Sequence, residues 1–114
     1  MFMYGSVLIV EDEMDISKLW EFECKRLGFE VVATRNVQEA KSAMRTFKFS
    51  RAILDLVIPG GSGEEIWEEL QLSYPHIKVV IVSGHPSRLK SAKKHGAHCI
   101  CKPCTLEEFD KAIL

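Results

Sequence analysis

The sequence predicts an α/β fold, a five-stranded parallel sheet wound on both sides by helices. Short apolar runs alternate five times with amphipathic stretches of helical spacing. The runs also lack polar alternation, as expected of parallel strands covered on both faces. At 114 residues the chain suits one domain, 1–114, and 46% hydrophobic residues suffice for a core.

The first strand is expected at Val7-Leu8-Ile9-Val10, ending at Glu11-Asp12-Glu13. A helix follows with Ile16, Leu19, Trp20, Cys24 and Leu27 on its inner face, and Gly28 stands where a left-handed C-terminal residue is wanted. Val31-Val32-Ala33 is the second strand. Asn36 with Glu39 caps the next helix, which lines the core with Ala40, Ala43, Met44 and Phe47. Ala52-Ile53-Leu54 is the third strand and stops at Asp55, and Pro59-Gly60-Gly61 forms a loop. Ser62 and Glu65 form a capping box for a helix that buries Ile66, Leu70 and Tyr74, with Trp67 at the rim. Val79 to Val82 is the fourth strand, before Ser83-Gly84 and a short helix from Pro86 to His95. Cys99-Ile100-Cys101 is the fifth, and Thr105 with Glu108 caps a last helix to Leu114. Right-handed crossovers leave few topologies, of which the flavodoxin-like order 2-1-3-4-5 is the expected one.

Composition narrows the function. Fifteen basic and sixteen acidic side chains give a net charge of −1, which argues against a nucleic-acid-binding role for the domain. No apolar run reaches the roughly 20 residues that span a bilayer. Met1 to Ser6 shows no signal-peptide pattern, so a cytoplasmic location is expected. Cys24, Cys99, Cys101 and Cys104 then read as free thiols.

Chemistry is expected beyond the carboxyl ends of the strands, where the strand order reverses between the first and third. Glu11, Asp12 and Asp55 fall there, with Ser83 after strand four and Lys102 after strand five. Three converging carboxylates repel, so a cation is needed, and hard oxygen donors in an open site suit Mg²⁺. Asp55 then stands as a carboxylate nucleophile, Lys102 and Mg²⁺ as neutralisers of phosphoryl charge, and Ser83 as a hydroxyl donor. Together these parts suit Mg²⁺-dependent phosphoryl transfer onto an aspartate.

Four segments, in order, give this pattern a family likeness. Val7–Glu13 (VLIVEDE), Ile53–Gly60 (ILDLVIPG), Val80–Gly84 (VIVSG) and Cys101-Lys102-Pro103 resemble the receiver domain of bacterial two-component response regulators, from about Ser6 to Leu114. The resemblance implies a signalling module that takes a phosphoryl group from a sensor histidine kinase or phosphotransfer protein onto Asp55. It catalyses only its own phosphorylation and part of its own dephosphorylation. The resemblance also implies side-chain Mg²⁺ ligands at Asp12 and Asp55, Glu11 acting through water, a backbone carbonyl ligand at Val57, and a cis Lys102–Pro103 bond. Output contacts, to an effector or a second copy, are implied on the fourth helix and fifth strand.

Two positions depart from the family pattern. Cys99 stands where a mobile Tyr or Phe is usual, and Cys104 where Phe follows Lys-Pro. They favour a second reading, a receiver-like scaffold that no longer switches. Val57 and His85 occupy places that tune phosphoryl lifetime, and both are expected to lengthen it. A thiol oxidoreductase using Cys101 and Cys104 is a third reading. A zinc site adding His95 or His98 lacks a second Cys pair. A haloacid-dehalogenase-like phosphatase would need Asp-x-Asp, which Asp55-Leu56-Val57 does not supply. Arg88, Lys90, Lys93 and Lys94 read as solvated charge on the fourth helix.

Overall fold

A computed structural model describes residues 5–114; most of the Met1–Ser6 stretch in which no signal-peptide pattern was read lies outside them. Among the described residues, five strands alternate with five helices. They are β1 (Ser6–Val10), α1 (Met14–Arg26), β2 (Glu30–Thr34), α2 (Val37–Thr46), β3 (Arg51–Asp55), α3 (Gly63–Ser73), β4 (Lys78–Ser83), α4 (Pro86–Lys94), β5 (His98–Cys101) and α5 (Leu106–Ile113). All four pairings are parallel, and the sheet runs β2-β1-β3-β4-β5.

Strand side chains alternate between faces, so each apolar run feeds two half-cores. Leu8, Val10, Ala52 and Leu54 pack with Ala40, Met44, Ile66 and Leu70 of α2 and α3. Their neighbours Val7, Ile9, Ile53, Val80 and Val82 pack on the opposite side with Trp20, Cys24, Phe109 and Ile113 of α1 and α5. A smaller group, Leu56, Ile81, Leu89 and Ala92, seats α4.

Burial on both faces holds for β1, β3 and β4 but not for β2 and β5. Ala33, His98 and Cys101 are exposed because these strands form the sheet edges. Two expected core residues also face outward. Leu19 is 50% exposed, on the far side of α1 from Cys24, and Phe47 is 51% exposed because α2 ends at Thr46 and the chain turns extended there. Tyr74, at the end of α3, is only half-buried.

The helix ends carry local chemistry. Thr105 and Glu108 form a complete reciprocal capping box on α5. Asn36 and Ser62 each accept a bond from the residue three positions on. Glu39 accepts from the Arg35 N–H rather than from Asn36, and Glu65 also pairs with Lys41. Gly28 ends α1 with φ of 102°, a conformation that disfavours any side chain.

Candidate functional site

Parallel strands place their carboxyl ends on one edge, and β1 and β3 are direct neighbours there. Glu11 leaves β1 with its side chain fully buried, its N–H bonded to the Thr34 carbonyl at 3.0 Å. Asp55 closes β3 and is 5% exposed. One carboxylate oxygen each of Glu11, Asp12 and Asp55 lie within 4.8 Å of one another. All three donors are hard oxygens, and Asp12 is only half-buried, so the group fits Mg²⁺ with room for water.

Lys102 arrives from the far side of the sheet. Its backbone N–H donates to the Ser83 carbonyl at 2.9 Å, which holds the segment after β5 against the end of β4. Its ammonium donates to Asp55 Oδ2 at 2.7 Å and to Glu11 Oε1 at 2.5 Å. The ammonium also lies 5.6 Å from the centre of the Trp20 ring. Lys102–Pro103 is a cis peptide bond.

These contacts set the charge states. Burial pushes the Glu11 carboxyl up to about 7, against the hydrogen bond from Lys102, and the charge of Asp55 adds to the rise. For Lys102 burial works downward, but the bonds to Asp55 and Glu11 outweigh it and hold the ammonium above its ordinary value.

The other oxygen of Asp55 is held by the chain itself: the Val57 N–H donates to Oδ1 at 3.0 Å. Val57 is exposed, at 45%. Ser83 is fully buried at the end of β4, where its Oγ accepts from the His85 N–H at 3.1 Å. The strand register pairs Asp55 with Val82, so Ser83 stands next to the acceptor's row. Glu11, Asp12, Asp55 and Lys102 thus converge through side chains, and Ser83 and Val57 border them.

The cysteines do not converge. Cys99 and Cys101 line a groove under α4 with Pro86, Leu89, Lys90 and Lys93, whereas Cys104 packs on the α1 side. Cys101 and Cys104 thus border different grooves, one beneath α4 and one beside α1, and both are free thiols. Among the described residues no grouping of three or more His, Cys, Asp or Glu ligands includes a cysteine.

Residues 7–114 match the family model "Response regulator receiver domain". The chain belongs to that family. Among curated relatives, this receiver is 31% identical to the response regulator protein PilR of Pseudomonas aeruginosa over 93% of the chain, which is 24% of PilR. It is 27% identical to the transcriptional regulatory protein YkoG of Bacillus subtilis over 92% of the chain, 47% of that protein. The receiver thus spans about a quarter to a half of those relatives. Among solved structures, a receiver domain protein from Clostridium thermocellum matches with a TM-score of 0.84 and 26% identity, covering 95% of this chain and 90% of that one. TrrA of Thermotoga maritima, solved in complex with Mg²⁺-BeF, shares the fold with a TM-score of 0.85 at 23% identity, covering 94% of each chain.

Sequence reasoning missed one residue of this receiver's site. Arg88, expected as solvated charge, is only partly exposed and is paired. Its guanidinium pairs with Glu64, with Nε 2.7 Å from Oε2 and Nη2 on Oε1, and Nη2 also donates to the Leu56 carbonyl at 2.9 Å. No local spacing announces a bond between the first turns of two helices.

Proposed function

We propose that this receiver takes a phosphoryl group onto Asp55 from a phosphohistidine of a sensor kinase or phosphotransfer protein, and changes its protein contacts in response. The convergence of Lys102 on Asp55, beside a carboxylate group fit for Mg²⁺, carries this reading. A bound Mg²⁺, held by Asp12, Asp55 and the Val57 carbonyl with Glu11 acting through water, would supply charge neutralisation at the transferring group.

The chain's own residues do the rest. The Asp55 carboxylate attacks phosphorus, the P–N bond to the donor imidazole breaks, and an acyl phosphate remains. Lys102 exchanges its carboxylate partner for a phosphoryl oxygen, and the Ser83 hydroxyl donates to another. Val57 and His85, both exposed beside the acceptor, would limit water's approach to the product and lengthen its life.

A donor must bring its phosphohistidine to this pocket, so its docking surface must border Lys102. An apolar groove lined by Ile16, Leu19, Trp20, Pro103 and Cys104 does so, with Lys102 in its wall. We assign the donor to that groove and the output to the α4–β5 side, with the protein in the cytoplasm.

The test is intact-mass analysis with Mg²⁺ and acetyl phosphate, paired with tryptophan fluorescence under beryllofluoride. Magnesium-dependent addition of one phosphoryl group, abolished in Asp55→Ala, is expected. No addition to the wild-type chain would overturn the reading. Addition without any change on the α4–β5 side would favour the scaffold reading, to which Cys99 in place of a mobile ring lends its support.

A further inference from the structure

The carbonyl of Leu56 accepts two hydrogen bonds, one from the Gly63 N–H at 2.9 Å and one from Arg88 Nη2 at 2.9 Å. That carbonyl shares a planar peptide unit with the Val57 N–H. The same N–H donates to Asp55 Oδ1 at 3.0 Å. Arg88 on α4 is therefore joined to the acceptor carboxylate through a single peptide plane.

Both ends of this chain of bonds are fixed. Glu64, the residue after Gly63, holds the guanidinium through Nε and Nη2, and α3 begins at Gly63. Gly63 in turn packs so closely that a Cβ there would lie 2.2 Å from the Asp55 carbonyl oxygen. The peptide unit is thus gripped by two donors, one from α3 and one from α4, and both are tied to the first turn of α3, Gly63 by its packing and Arg88 through Glu64.

We propose that Arg88 is a positioning residue for Asp55, acting through the Leu56–Val57 peptide, with Glu64 holding the guanidinium in place. A cationic donor on a carbonyl polarises the peptide and makes its N–H the better donor. It also fixes the peptide plane, and with it the direction from which Val57 N–H meets Oδ1. The Asp55 carboxylate is then set between two partners, Val57 N–H on Oδ1 and Lys102 on Oδ2, before any donor arrives. Alignment of this kind is worth large rate factors when the nucleophile must meet phosphorus in line. Glu64 and the charge of Asp55 both hold the Arg88 guanidinium above its ordinary value, the bond to Glu64 foremost, so the cation persists at every relevant pH. The inference rests on Asp55 as the acceptor.

The experiment uses the full chain, ¹⁵N-labelled, as wild type, Arg88→Ala, Arg88→Lys and Glu64→Gln. Two quantities are read, the Val57 amide resonance and the rate of Mg²⁺-dependent labelling by acetyl phosphate. In Arg88→Ala the Val57 amide is expected to move upfield, as a weakened hydrogen bond requires, and labelling to slow about tenfold. Free guanidinium ion should restore both, and methylammonium should not. Arg88→Lys should restore little, because one ammonium cannot reproduce the fork that spans Glu64 and Leu56. A Val57 amide unmoved in Arg88→Ala would overturn the proposal even if labelling slowed, since the effect would then bypass the peptide. Unchanged labelling would overturn it too. If Arg88→Ala does not fold, Glu64→Gln decides, by a shift of the Val57 amide in the same direction. If the wild-type chain takes no phosphoryl group, the acceptor reading fails separately, and the amide shift alone then decides whether Arg88 holds this peptide.

Discussion

The Lys102 ammonium sits 2.7 Å from Asp55 Oδ2 although forty-seven positions separate the two residues. That distance is set by the sheet. Lys102 hangs from the Ser83 carbonyl, and Asp55 ends the strand beside Ser83. The ammonium bridges two buried carboxylates, Glu11 and Asp55.

Replacing that ammonium should therefore damage chemistry before structure. Lys102→Met is expected to slow labelling of Asp55 by acetyl phosphate by about a hundredfold, the usual cost of losing one preorganised charge at a transferring group. Intact mass against time, with unfolding followed in parallel, checks it. A rate within threefold of wild type would assign the charge role elsewhere.

The groove beside Lys102 makes a separable demand. Leu19 is half exposed, so Leu19→Glu should cost little stability. It should cut phosphoryl transfer from a histidine phosphotransfer domain about tenfold, as loss of an interface hot spot does, and leave acetyl phosphate labelling unchanged. Equal loss with both donors would place Leu19 in the fold rather than in docking.

A second carboxyl pair, between α1 and α5, sets a pH dependence. Glu23 is buried and held down to about 2, first by its hydrogen bonds from Arg26. Asp110 is pushed up to about 6, first by burial and then by Glu23, and its Oδ1 is buried without a hydrogen-bond partner. The raised Asp110 contributes stability that is complete below about 3.8 and lost as pH rises through about 6. Glu23 acts oppositely, contributing above 4.5 and losing its contribution as pH falls toward 2. Asp110→Asn can donate to Glu23 at every pH. It should gain about 1–2 kcal/mol on wild type at pH 8, allowing for partial solvent screening, and less at pH 4.5. Urea unfolding at both values measures this, and an equal difference at the two would sink the account.

What the sequence discloses about this site follows from strand parity and strand ends. Glu11, Asp12, Asp55, Ser83 and Lys102 all sit where an apolar run stops, and in a parallel sheet those stops share one edge. Arg88 and Glu64 are not legible in this way. Their bond depends on how α3 and α4 rotate against the sheet, which no spacing within either helix records. Asp110 and Glu23 hide for the same reason, although the Glu23–Arg26 pairing alone has readable helical spacing. The exposed edges are a different case. The order 2-1-3-4-5 already puts β2 and β5 outermost, so the exposure of Ala33 and Cys101 is legible once topology is set against the apolar runs.

The small cluster beneath α4 has a mechanical consequence. Of that helix only Leu89 and Ala92 are buried, one medium side chain and one small one. By contrast, α1 is seated by Trp20 and Cys24, and α5 by Phe109 and Ile113. Amide hydrogens of α4 should be among the first helical ones to exchange with solvent, because little apolar area opposes its lifting. The Arg88 bonds to Glu64 and the Leu56 carbonyl add to what keeps its first turn down. A helix fastened by so small an apolar cluster and one charged stitch is the part of the molecule whose position costs least to change.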